Sequence, residues 1–179
     1  MTEVEADARH AEKMAKKKAA RDKILVTKTI EKGLLIVHTG KGKGKSTAAM
    51  GLAVRAIGNG MKVGIVQFVK GVWATGEREV LDRFPELCTI KAMGEGFTWD
   101  TQDRQRDIAA ARAAWDYAEQ LLDDPSYRMV ILDELNIVLR YDYIPLDEVL
   151  ETLRKLPPGE VRTGTPIWQE MRRNTGKPI

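Results

Sequence analysis

Cysteine is almost missing from this 179-residue chain: Cys88 stands alone, which excludes an internal disulfide. No Cys/His cluster has metal-ligand spacing, so structural zinc is not expected and a reducing compartment is the natural home. No apolar run approaches the roughly 20 residues that a membrane-spanning helix needs. The N-terminus is charged throughout and lacks the apolar core of a signal peptide. The expectation is a cytoplasmic protein with no membrane partner. Neither charge dominates, with 29 Lys and Arg against 26 Asp and Glu. A net charge of +3 does not by itself imply nucleic acid. What is present, 43% hydrophobic and 31% charged residues, is the composition of one soluble globular domain with a sizeable core.

Residues 1–23 contain no glycine or proline, so a helix is allowed. Arg9, Lys13, Lys16, Lys17, Lys18, Arg21 and Lys23 face Glu3, Glu5, Asp7, Glu12 and Asp22, with few apolar residues to bury. Two readings stay open, a solvated charged arm or an arm that docks on a partner or ligand site. From Gly33 the pattern changes. Leu34 to His38, Lys62 to Phe68, Cys88 to Met93 and Met129 to Leu132 read as strands. Ser46 to Ile57 reads as a helix with Met50, Val54 and Ile57 on its apolar stripe. A second helix follows Asp100, its stripe being Ile108, Ala111, Trp115, Ala118 and Leu122. Pro145 opens a third, with Leu146, Val149, Leu150 and Leu153 on one face. Strands alternating with helices predict an α/β fold, a mostly parallel sheet flanked by helices.

The segment Thr39-Gly40-Lys41-Gly42-Lys43-Gly44-Lys45-Ser46-Thr47 joins a predicted strand to a predicted helix. That context marks a P-loop: glycines let successive amides face one anion, and the helix N-terminus adds partial positive charge. Lys45 would reach phosphate oxygens and Ser46 would offer its hydroxyl to Mg²⁺. Thr39 stands where the usual motif has its first glycine, while Gly40 and Gly42 are additional. The bland alternative is a basic Gly/Lys turn that binds nothing. Met129-Val130-Ile131-Leu132-Asp133-Glu134 is an apolar strand ending in two acids, the form of a Walker B segment. Asp133 and Glu134 are candidate Mg²⁺ ligands, with helix capping as their alternative role.

Several stretches together narrow the class. Gly40 to Ala49, Arg55 to Gly60, Val66 to Gly71, Gly76 to Arg78, Gly96 to Gln102, Val130 to Leu135 and Tyr141 to Leu146 resemble, in order, the ATP:corrinoid adenosyltransferases of the cobalamin pathway. The resemblance implies a RecA-like P-loop fold and transfer of the 5′-deoxyadenosyl group of ATP to the Co(I) of a reduced corrinoid, with release of triphosphate. It implies that Thr39, Gly40, Lys41, Gly42, Lys43, Gly44, Lys45, Ser46 and Thr47 bind ATP, held reversed relative to other P-loop enzymes. Thr39 is then a match to the family. Arg55 would reach the nucleotide, and Glu134, with Asp133 as the weaker candidate, would take part in binding Mg²⁺ or Mn²⁺. Lys45, Phe97 and Trp99 would serve catalysis, the two aromatics closing the corrinoid site to water. Outside the family a Phe-x-Trp is more often core. Trp73 stands between packing and a corrinoid contact, and His10 and His38 receive no catalytic role. The family also implies a homodimer and an electron-donating reductase.

The pattern divides the chain into a charged arm at 1–23, a P-loop domain at 24–157 and a divergent or truncated tail at 158–179. No β-branched run of strand length is legible after Leu156, so the usual C-terminal strands are expected to be missing and an apolar sheet edge exposed. Two other functions fit the loop alone: a RecA-like ATPase dependent on nucleic acid, or a nucleotide- or corrinoid-binding remnant without turnover.

Overall fold

The computed structural model describes residues 2–29, 33–38, 40–69, 75–94, 103–156 and 161–164, the last four by backbone alone. The chain divides into two compact units, Met1–Glu31 and Lys32–Ile179. The first consists of helix α1 (Glu3–Val26). Thr2 and Glu5 close a reciprocal capping box at its start, and it buries none of its residues.

The second unit runs β1 (Leu34–Val37), α2 (Lys45–Gly58), β2 (Lys62–Gln67), α3 (Gly76–Leu81), β3 (Cys88–Ala92), α4 (Arg104–Asp123), β4 (Tyr127–Asp133), α5 (Leu135–Arg140), α6 (Leu146–Lys155) and β5 (Val161–Gly164). All strand pairs are parallel, in the order β1-β5-β4-β2-β3. Alternate residues of the central strands feed two apolar layers, as the period of two requires. Val63, Ile65, Met129 and Ile131 pack with Ala49, Met50, Ala53, Ala56 and Ile57 of α2. Val66, Val130 and Leu132 pack with Ala111, Ala114, Trp115 and Ala118 of α4 and with buried residues of α5 and α6. Gly64 has no side chain because Leu121 occupies the place: a Cβ there would lie 2.8 Å from Leu121 Cδ1.

Two expectations are corrected. The stripe of α2 excludes Val54, which is half exposed; its buried face is carried by the alanines at 49, 53 and 56 together with Met50 and Ile57. A strand does follow Leu156. Residues Val161–Gly164 form β5, which pairs with β1 on one side and β4 on the other, so β1 meets a neighbouring strand where the sequence pattern left an unpaired edge. Four residues between prolines are too short to show strand periodicity; ladder bonds to two neighbours hold the segment instead.

Candidate active site

The phosphate loop leaves the carboxyl end of β1 and enters α2, the end of a parallel sheet at which ligands bind. Gly40, Gly42 and Gly44 have φ values of 131°, 107° and 99°, which other residues rarely adopt. Gly44 is the N-cap of α2 and supplies no side-chain cap. The first-turn amides therefore face outward with the positive end of the helix dipole. Lys45 Nζ donates to the carbonyls of Gly40 (2.9 Å) and Gly42 (2.6 Å), holding the ammonium inside the curve of the loop. Lys41 and Lys43 are exposed on the same turn.

Beside the loop, β4 delivers its acids. Asp133 is buried, and Ser46 Oγ donates to its Oδ1 at 2.9 Å. Gln67, also buried, donates from Nε2 to Asp133 Oδ2 at 3.2 Å. Glu134 occupies the N-cap position of α5 in the left-handed region, at φ 64° and ψ 19°, yet its side chain makes no cap hydrogen bond. Neither acid is thus a helix-capping side chain. A non-glycine residue in that conformation is costly, and such strain concentrates at functional sites. Thr47 Oγ1 donates to Glu77 Oε1 at 3.3 Å, linking α2 to the first turn of α3.

The structure thus brings Gly40, Gly42, Gly44, Lys45, Ser46, Thr47 and Asp133 together at one end of the sheet, with Glu134 next along the chain. Arg55 lies elsewhere, exposed in the last turn of α2, about 15 Å along the helix axis from Lys45. Thr39, Trp73, Phe97 and Trp99 lie outside the described residues. Gln67 and Glu77 join the cluster although the sequence reading gave them no role. Both lie in stretches that resemble the family, Val66 to Gly71 and Gly76 to Arg78, and that resemblance was their legible signal.

Away from the loop, burial and ion pairing shift groups whose roles are structural. Burial, and then Asp82, push the Cys88 thiol up to about 11. A hydrogen bond from Arg112 holds Glu148 below the usual carboxylate range. Among the described residues no helix is long and apolar enough to cross a membrane.

Residues 31–171 match the family described as ATP:corrinoid adenosyltransferase BtuR/CobO/CobP. Residues 1–25 match the N-terminal segment described as Cob(I)alamin adenosyltransferase N terminal. A corrinoid adenosyltransferase of Sinorhizobium sp is 58% identical over 153 residues, covering 85% of this chain and 72% of that protein. One from Pseudomonas aeruginosa is 54% identical over 153 residues, or 86% of this chain and 75% of that protein. The Escherichia coli K12 protein of the same name is 46% identical over 151 residues, 84% and 76% respectively. The family match continues past Pro157, where the sequence pattern alone ended the resemblance. With the phosphate loop, the acid-tipped strand and these matches in agreement, the chain belongs to the ATP:corrinoid adenosyltransferase family.

Proposed function

We propose that this chain transfers the 5′-deoxyadenosyl group of ATP to the cobalt of a reduced corrinoid. The observation that carries the reading is the phosphate loop joined through Ser46 to the buried Asp133 in a chain of this family. In the reaction the Co(I) electron pair attacks the 5′ carbon, a cobalt–carbon bond forms, and the carbon–oxygen bond to the triphosphate breaks. Triphosphate leaves with the bonding electrons, and cobalt becomes formally Co(III). The nucleophile belongs to the substrate, so the protein needs no serine, cysteine or histidine for that role. Its tasks are to hold ATP in line and to stabilise charge on the leaving triphosphate.

Outward-facing amides at the start of α2 and the Lys45 ammonium suit the second task, with Gly40, Gly42, Gly44, Ser46 and Thr47 as the grip on phosphate oxygens. Thr39, Lys41 and Lys43 complete the proposed ATP contacts on the loop, while Arg55, at the far end of α2, is left out of them. Ser46, Asp133 and Glu134 offer hard oxygen donors of the kind Mg²⁺ or Mn²⁺ takes. Among the described residues no cluster of His, Cys, Asp and Glu could hold an ion unaided, so triphosphate and water would complete its coordination. When bound, the ion neutralises charge on the departing oxygens. Phe97 and Trp99 are the proposed corrinoid-side residues, keeping water from the Co(I) centre. A separate reductase supplies the electrons, and the working unit is a cytoplasmic homodimer.

One incubation tests the reading: the full chain with ATP, Mg²⁺ and chemically reduced cobalamin, followed by product analysis. The expected result is adenosylated corrinoid and triphosphate in equal amounts. Release of inorganic phosphate stimulated by DNA or RNA overturns it in favour of a nucleic-acid-dependent ATPase. ATP binding without any cobalt–carbon product overturns it in favour of a binding remnant.

A further inference from the structure

Gln67 is the last residue of β2 and is buried. An uncharged amide there needs a reason, because a buried polar group is costly unless it is hydrogen-bonded. Its partner is the carboxylate of Asp133, the residue opposite it in the parallel pair. An ionised carboxylate only accepts, so the amide nitrogen must face it. The other carboxylate oxygen accepts from Ser46. One buried carboxylate is thereby engaged from both sides, by the sheet through Gln67 and by the phosphate loop through Ser46. The main chain at this point is fixed as well: Phe68 N–H donates to the Asp133 carbonyl at 3.1 Å, and Met93 N–H donates to the Gln67 carbonyl at 3.0 Å. The amide thus reaches Asp133 from a rigid base formed by three adjacent strands.

We infer that Gln67 is a positioning residue for the nucleotide site, acting through Asp133 to set the direction of the Ser46 hydroxyl. With Oδ2 held by Gln67, the carboxylate plane is fixed, and Oδ1 takes the Ser46 proton. With its proton committed to Asp133, the Ser46 oxygen offers only lone pairs at the phosphate loop. Removing the amide takes away the hydrogen bond that Oδ2 accepts from β2 and loosens the direction in which Ser46 is held. The inference rests on the nucleotide reading of the loop proposed above.

The test is Mg-ATP affinity of the full chain by calorimetry, for wild type, Gln67→Met, Ser46→Ala and the double variant, with a thermal melt of each. Methionine keeps the length and removes the donor. Gln67→Met is expected to weaken Mg-ATP binding about tenfold, the size of one hydrogen bond to a charged group. That loss is expected to vanish in the Ser46→Ala background, because the two residues act through one carboxylate. Gln67→Leu, which also removes the donor, is expected to show a similar loss and covers the case of a methionine variant that does not fold. Unchanged affinity in either folded variant overturns the inference, even if the melting temperature falls. So does an undiminished loss in the Ser46→Ala background. Failure of the wild-type chain to bind Mg-ATP would instead overturn the nucleotide reading, and this inference with it.

Discussion

At Gly94 a methyl group would collide with the backbone carbon and oxygen of Val69. Backbone cannot swing aside as the end of a side chain can, so the residues just beyond β2 and β3 approach this closely only without a Cβ there. Gly94→Ala is therefore expected to destabilise the chain by about 1–3 kcal/mol, the usual cost of overpacking, read as a lowered urea midpoint. Gly51 provides the opposite case. It lies within α2, and a Cβ there would meet nothing within 4 Å. Gly51→Ala should raise stability by roughly 0.5–1 kcal/mol through helix propensity and a less free unfolded chain. Both glycines look alike in the sequence; the difference lies in what stands beside them. The same holds at Ser46 and Asp133, whose types were legible as candidate ligands, while their 2.9 Å hydrogen bond was not.

Among the elements, α4 and α6 are joined by side chains as well as by their apolar faces. Arg112 holds Glu148 with both guanidinium nitrogens, Nη2 at 3.0 Å from Oε2, and Thr152 Oγ1 donates to Glu119 at 2.7 Å. The Arg112–Glu148 pair keeps side-chain exposures of 39% and 36%, so water screens it and its contribution is about 0.5–1 kcal/mol. Because Arg112 lowers the folded-state pKa of Glu148, that contribution is present above the ordinary carboxylate range. It is lost as pH falls through the depressed value. Urea unfolding should show Glu148→Gln less stable than wild type at pH 7 by about that amount. At a pH below the carboxylate range the two should converge. Helix α4, twenty residues with a regular stripe, was legible from its period. The six-residue helices α3 and α5 are too short to display one, and β5 is shorter still.

For the molecule as a whole, the division into two units has a measurable consequence. Helix α1 buries none of its residues, and its capping box, internal hydrogen bonds and the exposed Lys16–Glu12 pair are all local to it. A chain lacking residues 1–26 is expected to melt within about 2 °C of the full chain, since little apolar area leaves the balance. A larger fall in a calorimetric scan would show that the arm stabilises the rest.

The α/β class, the phosphate loop and the acid-tipped strand are legible in the chain alone, because glycine positions, hydrophobic period and motif order are local properties. Tertiary structure alone decided that Val161–Gly164 enters the sheet between β1 and β4, since two neighbouring ladders hold a segment too short to declare itself. It alone decided that Val54 faces out, because the sheet, and not the helix, chooses which side of α2 is covered. And it alone brought Gln67 to Asp133, 66 positions away along the chain, since parallel pairing sets register across a distance that no local pattern records.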